Sequence, residues 1–376
     1  MGGAKFRDEF SLDFDGSNDY VHCGQEAAVD DIFDGGGSVV AWIKARSDGG
    51  GDIGRVIQKC GGTGPDPGWY ICAHSESSGA IKIQFDTSFS TTNGLWRLDS
   101  TDVTLNQWTH LVVTWNDDAH ANQPVIYVNG VSKALTEVTD PAGTYDSDAT
   151  QNMRIGGNGS VNSWDGRISD VAMYDEILTA SQVKILYNDR NAYNHNEGAL
   201  KGNLKAWYRM GDGTFDTKIN DHTDTGIITD ETNATLSTDV LGGKGDFSDA
   251  SYWAITTDES IVEGGVGKWL AQGSYGQIRR DSVLTDKKVY RTSLETTVNA
   301  GTTVKGNLGD PYPTVIDDSL VGQQITFYRT NTANFILWAG DYGDLVTIDN
   351  LVLQEVGGSP GIMINMDAND FVGDTP

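Results

Sequence analysis

Six histidines, one G-x-S-x-G string and a few clustered carboxylates are the residues of this chain whose types could do chemistry. His22, His74, His110, His120, His195 and His222 stand at none of the spacings that bring imidazoles onto one metal or beside one nucleophile. His110 falls in an apolar run and is expected inside a strand, as a core or edge residue. Gly357 to Gly361 (GGSPG) matches the nucleophile elbow in form only. The elbow uses the backbone N–H after its serine as an oxyanion donor, and Pro360 has none. A linker is expected there. Asp170 with Asp175 and Glu176 is the nearest approach to a glycosidase carboxylate pair, whose members must face each other across about 5–5.5 Å. Spread over a strand end and a turn, the three are expected to be a solvated edge. Asp13-x-Asp15-x-Ser17-x-Asp19 opens like a calcium loop but lacks the required glycine and terminal glutamate, so an EF-hand is excluded.

Aromatic side chains are the stronger candidates, because sugar C–H faces stack on indole and phenol rings beside polar neighbours. Trp69, Trp96 and Trp164 lie beside Gly-rich stretches, and Trp269, Tyr275, Trp338 and Tyr342 neighbour glycines or turns. Trp338 and Tyr342, in LWAGDYGD, are the foremost exposed pair; Trp269, Tyr275, Trp164 and Trp96 complete the candidate ligand-binding set. Sandwich cores also consume aromatics, and Trp42, Trp108, Trp115 and Trp253 occupy strand positions expected in the core.

The charge balance narrows the partners. Fifty-three acidic against 26 basic residues give a formal charge of -27. Nucleic acid and anionic lipid both reward Lys/Arg stripes that this composition lacks. Cys23, Cys60 and Cys72 cannot all pair, so the chain is no disulfide framework and free buried thiols are expected. Cys60 and Cys72, which bracket a Gly/Pro loop, could pair. The opening residues MGGAKFRDEF carry no apolar core of an export signal, and no 18-residue apolar run occurs.

The elements that must position these residues are strands. Forty-six glycines and many Asn-Gly, Asp-Gly and Gly-Gly pairs predict tight turns. Ile81, Ile83 and Phe85 alternate with Lys82 and Gln84, the period of a half-buried strand, whereas Val39 to Ile43 and His110 to Trp115 are apolar on both faces. Thr179 and Gln182 form a capping box ahead of Val183, Leu186 and Tyr187, predicting one short helix. The fold class is all-β: two tandem antiparallel β-sandwich jelly rolls, with that helix near the end of the first. The domains are expected at 1–195 and 245–356, with 196–244 a linker or extended segment and 357–376 a C-terminal arm. GIITDETNATLSTD (226–239) echoes GIMINMDANDFVGD (361–374), which suggests a second domain inserted between two halves of one motif.

FSLDFDGSNDYV (10–21), WTHLVVTWN (108–116), VIYVNGV (125–131) and DGRISDVAMYDEILTASQVKILYN (165–188) together resemble a laminin-G-like, concanavalin A-type jelly roll. GDFSDASYW (245–253) and VTIDNLVLQEV (346–356) resemble the opening and close of a carbohydrate-binding module of the family 4, 9 and 22 type. The second resemblance implies a structural calcium held by Asp246 and Asp349; here Phe247 is followed by Ser248 where that family carries an acid. The first resemblance implies, for any glycosidase on that fold, a Glu-x-Asp-x-x-Glu string, and the chain contains none. LKAWYRMGDGTFD (204–216) resembles segments trailing such domains in tailed-phage virion proteins.

These resemblances imply a non-enzymatic virion surface protein, a head decoration or fibre protein, on the virion surface. Its partners would be capsid or tail proteins, further copies of itself (a homo-oligomer, a trimer for decoration) and cell-surface glycans. In that setting Asn365 to Pro376 would be an arm docking on a neighbour. The alternatives are a tail adhesin for host glycans and a cellular carbohydrate-binding protein of a polysaccharide-degrading system. A glycosidase or lyase on the sandwich is the weakest expectation.

Overall fold

The computed structural model describes residues 6–62, 64–159, 161–217, 226–255, 260–269, 276–299, 304–306, 314–316, 321–330, 332–339 and 346–376. The fold is mostly antiparallel strand, arranged in sandwiches, with one helix of two turns. The chain divides into two units. The first comprises Met1–Lys218, Ile228–Ala234 and Met363–Pro376; the second comprises Ile219–Ile227 and Thr235–Ile362. The second unit is therefore an insertion: the chain comes back to the first unit for its last 14 residues.

In the first unit one sheet runs in the order Val131–Ser132, Val125–Val128, Thr109–Trp115, Gly37–Ala45, Asp165–Tyr174, Ser11–Asp15, Phe371–Val372. Leu204–Tyr208, within the stretch expected to be extended linker, also pairs with Asp165–Tyr174. That central strand is bulged between Ser169 and Ala172, where Asp170 takes a φ of 55°. The second sheet runs Leu135–Thr139, Gly94–Leu98, Ala80–Thr87, Gly68–Ser77, Arg55–Cys60, Met153–Ile155, Tyr20–Gly24, Gly361–Ile364, Ile227–Ile228. The division between units passes within the last two of these strands.

Alternation places Ile81, Ile83 and Phe85 in the core, where Phe33, Trp69, Phe85, Trp96 and Trp115 meet at ring-centroid distances of 5.3–6.2 Å. The outer face of the first sheet is covered too. Val40, Val112, Ala172 and Tyr174 pack against Val183 and Leu186 of the helix Ala180–Tyr187 and against Leu200, Leu204 and Trp207. That cover explains why Val39–Ile43 and His110–Trp115 are apolar on both faces. The capping box forms as the sequence predicts: Thr179 Oγ1 accepts from Gln182 N, and Gln182 Oε1 accepts from Thr179 N at 2.7 Å. Cys23, Cys60 and Cys72 are all buried, none of them in a disulfide.

The second unit carries one sheet ordered Ala254–Ile255, Gln277–Arg280, Phe335–Ala339, Val304–Gly306, Thr314–Ile316. A second is ordered Ser260–Glu263, Val266–Trp269, Val346–Val356, Val289–Asn299, Gly322–Arg329. Phe247, Trp253, Trp269, Ile278, Phe335, Leu337, Ile348 and Leu353 belong to its core.

Within the C-terminal arm, Phe371 and Val372 pair with Leu12 and Ser11 of the same chain, adding an edge strand to the first unit's sheet.

Candidate functional site

Two turns at one end of the first unit's sandwich build the most concentrated polar site. Strand Thr109–Trp115 ends at Asn116, and the turn that follows is fixed by its own side chains. Asp118 N donates to Asn116 Oδ1 at 2.8 Å, and Asn116 Nδ2 donates to Asp118 Oδ2 at 3.0 Å. Asn122 Nδ2 donates to Asn116 Oδ1 at 3.0 Å, closing the loop. The facing turn carries Asp34. Asp117 N donates to Phe33 O at 3.1 Å, and Gly35 N to Asp118 Oδ1 at 3.1 Å, so backbone bonds tie the two turns together. Gly37 is required there, because a Cβ would lie 2.0 Å from the Ile32 carbonyl.

This arrangement brings one carboxylate oxygen each from Asp34, Asp117 and Asp118 within 4.8 Å of one another. It is the one such group among the described residues. Burial pushes the Asp117 carboxyl up to about 7, helped by the like charges of Asp34, Asp118, Asp31 and Asp148. Its Oδ2 is buried with no hydrogen-bond donor. Three hard oxygen donors this close together could hold a divalent cation such as calcium.

Beside the triad lies a cleft of about 330 Å³ lined by Thr114, Trp115, Asn116, Asn122, Gln123, Val125 and Ile177. Its volume falls in the range of small-ligand sites, and it mixes amides with apolar side chains. Val125 and Ile177 are exposed at its rim. Trp115 is held beneath by Nε1 donating to Asn122 O at 3.0 Å, and Gln123 Oε1 accepts from Trp96 Nε1 at 2.9 Å.

The aromatic candidates separate by burial. Trp96, Trp164 and Trp269 are not exposed platforms: each is almost wholly buried. The physical reason is visible at two of them. A Cβ on Gly94 would strike the Trp96 ring at 2.5 Å, so the glycine makes room for the indole instead of marking an open loop. Trp269 Nε1 donates to Gly276 O at 2.8 Å within the second unit's core. Trp69 is likewise buried, donating to Asp148 Oδ2 at 2.9 Å. Trp108, expected in the core, is only partly buried and donates Nε1 to Asp374 Oδ1 at 3.1 Å. Trp42, Trp115 and Trp253 are core residues as expected, and so is His110. Trp338 is partly exposed on strand Phe335–Ala339, opposite Gln277 in the register and on the face away from buried Leu337. Tyr275 and Tyr342 lie outside the described residues.

Asp246 and Asp349 belong to no three-ligand acidic group among the described residues. Asp246 is exposed, and hydrogen bonds from Ser248 N (3.0 Å) and Oγ hold its carboxyl below the usual range. Asp349 Oδ1 accepts from Asn350 N at 2.6 Å. Asp246 thus serves a local turn, and Asp349, within strand Val346–Val356, accepts from its own neighbour. The three aspartates that do cluster were missed because 83 residues separate Asp34 from Asp117. The only sequence signal is an acid-bearing turn at each strand end, FDGGG and WNDD.

The carboxylates Asp170, Asp175 and Glu176 each have partners of their own. Asp170 is fully buried, not solvated, contacting Trp207 Nε1 and His195, while Asp175 pairs with Lys205 and Glu176 accepts from Gln182 and Asn203.

Residues 15–184 match the model of the concanavalin A-like lectin/glucanases superfamily, laminin-G type. No curated protein matches the chain. Among solved structures the chain is similar to a heptameric SAP-like pentraxin from Limulus polyphemus, with 18% identity over 50% of this chain and 86% of that one, at a TM-score of 0.38. It is similar to a putative carbohydrate binding protein from Bacteroides ovatus, with 18% identity over 61% and 57%, at a TM-score of 0.42. It is also similar to domain 4 of an extracellular arabinanase from Geobacillus stearothermophilus in complex with arabinotriose, with 21% identity over 47% and 71%, at a TM-score of 0.29.

Proposed function

We propose that this protein is a non-enzymatic carbohydrate-binding protein whose first sandwich presents the cleft between Asn116, Asn122, Gln123, Val125 and Ile177 to a glycan. The carrying observation is that cleft: amides to exchange hydrogen bonds with hydroxyls, apolar surface for C–H faces, and a volume of about 330 Å³. The match of residues 15–184 to a lectin and glucanase superfamily supports the same class. Binding is proposed over catalysis because the sequence carries no Glu-x-Asp-x-x-Glu string. Asp34, Asp117 and Asp118 are the residues that would hold calcium, whose charge would lock the turn carrying Asn116 and Asn122, part of the cleft wall, to the turn carrying Asp34. Trp338, partly exposed in the second unit, is the candidate for a second contact.

The virion setting expected from the sequence takes second place. None of the three similar solved proteins is described as a virion component, and no observation favours capsid or tail partners or a trimer. Among the described residues no helix is long and apolar enough to cross a membrane.

Glycan-array screening followed by calorimetry on the full chain tests the proposal. Asn122→Ala is expected to weaken binding of the best glycan at least tenfold, and a chelator to weaken it further. Loss on Trp338→Ala alone would move the site to the second unit. An array without any hit, with and without calcium, would sink the carbohydrate assignment.

A further inference from the structure

The last residues of the chain form a strap held on the first unit by unlike means at its two parts. Phe371 and Val372 pair with Leu12 and Ser11, and Phe371 seats its ring edge-on against Phe10 at 6.4 Å. Gly211, with a φ of 123°, leaves the space for that ring: a Cβ there would lie 2.7 Å from Phe371. Beyond the strand, Asp374 is bound as a carboxylate ligand. Lys44 Nζ reaches its Oδ2 at 2.6 Å, Arg167 Nη1 reaches the same oxygen, and Trp108 Nε1 donates to Oδ1 at 3.1 Å. Ser11 Oγ donates to Asp374 O at 2.7 Å, and Thr375 Oγ1 to Asp8 O at 3.1 Å. Lys44 and Arg167 come from strands Gly37–Ala45 and Asp165–Tyr174, and Ser11 from Ser11–Asp15, so the side chain and the carbonyl of one residue together tie the strap to three strands.

The other part of the strap brings like charges together. Its turn Ala368–Asp370 lies against strand Ser11–Asp15. Burial raises the Asp19 carboxyl to about 7, and Asp15, Asp370 and Asp13 add to the rise. Asp370 is raised as well, by burial and by Asp367, Asp13 and Asp15. Of these acids, Asp13 is neutralised by Arg46 and Arg167. Docking the strap thus sets an attractive contact at Asp374 against a repulsive one at Asp370.

We propose that residues 365–376 are a releasable strap, latched through Asp374 on Lys44, Arg167 and Trp108, whose undocking uncovers the strand edge at Ser11 and Leu12. A strand edge so exposed is a template for pairing, and the strap is its intramolecular cap. The latch is partly solvent-exposed and is weakened by salt. The repulsive end makes docking tighter near pH 6, where Asp19 is protonated, than near pH 8. At strongly acidic pH the latch itself is lost, because Asp374 becomes neutral. Its carboxyl sits below the usual range: burial pulls it up, but the hydrogen bonds from Lys44 and Trp108 and the nearby cations outweigh that.

Hydrogen exchange on the full chain, with Asp374→Asn beside the parent, tests the latch. Amides of 371–375 and of Ser11 and Leu12 are expected to exchange at least tenfold faster in the variant, with strand Thr109–Trp115 unchanged. Asp374→Glu should restore most of the protection. Gly211→Ala, which fills the Phe371 seat without touching the ion pairs, should release the same amides. In the parent, protection corrected for intrinsic rates should fall between pH 6 and pH 8. Unchanged exchange in both variants overturns the proposal. So does acceleration that spreads through Thr109–Trp115, which would make the strap an inseparable part of the fold.

Discussion

Lys59 offers the sharpest test of how the first unit holds its candidate site together. Its ammonium is fully buried, 2.8 Å from Asp30 and 3.2 Å from Asp148, and it donates to the carbonyls of Asp148 (2.8 Å) and Gln151 (3.2 Å). Asp148 is itself fully buried, and it exchanges bonds with Asp31: Asp31 N donates to Asp148 Oδ1 and Asp148 N to Asp31 Oδ1, both at 2.9 Å. Lys59 thereby anchors the turn that carries Asp34. Lys59→Met keeps most of the stem volume and removes the charge together with the ammonium's hydrogen bonds. It leaves the Asp148 carboxylate buried beside Trp69 Nε1 and Tyr145 without its cation, a loss of about 3–5 kcal/mol for one partner of a buried pair. For a domain of this size about 1 kcal/mol shifts Tm by 2–4 °C, so the transition of the first unit should fall by roughly 6–20 °C. Asp30 is partly exposed and can be rehydrated, so it adds little. Calorimetry of the full chain resolves the shift, and Lys59→Met with Asp148→Asn should recover part of it by removing the stranded charge. A single-variant shift below about 2 °C, or a double variant worse than the sum of both changes, would refute the account.

Other outcomes follow from the same geometry. Gly156→Ala would place a Cβ 2.0 Å from the buried Phe14 ring at a φ of 86°, and should cost about 1–3 kcal/mol in urea unfolding of the first unit. Trp269→Ala should cost about 3–5 kcal/mol, whereas Trp338→Ala, partly exposed, should cost about 1–2 kcal/mol; equal costs would contradict their different burial. Burial and like charges raise Asp19 and Asp117 to about 7, and burial beside Asp170 raises Asp8. The stability these groups contribute is complete below the ordinary carboxylate range and is lost as pH rises through about 7 for Asp19 and Asp117 and about 8 for Asp8. Burial lowers His110 to about 3, so its contribution is lost as pH falls below about 6.5. Tm should therefore be higher at pH 6.5 than at pH 8.5, and the Asp117 share should vanish in Asp117→Asn.

The sequence by itself determined the local elements and the all-β class, because both depend on periods of a few residues. Alternation around Ile81 to Phe85 set a strand face, Thr179 and Gln182 closed their capping box, and apolar runs placed Trp42 and Trp115 inside. The odd number of thiols already argued against a disulfide framework. What only the tertiary structure decided is which residues from distant segments meet, and on which side of a wall a glycine-flanked aromatic sits. A glycine beside a tryptophan is consistent with an exposed loop and equally with a core that needs space; at Trp96 the packing of Gly94 chose the second. Asp34 meets Asp117 and Asp118 because two turns are bonded across the end of a sandwich, a matter of strand order that no local period encodes. The same holds for Asp374, which finds Lys44 and Arg167 only because its strap pairs with the strand Ser11–Asp15 at the opposite end of the chain.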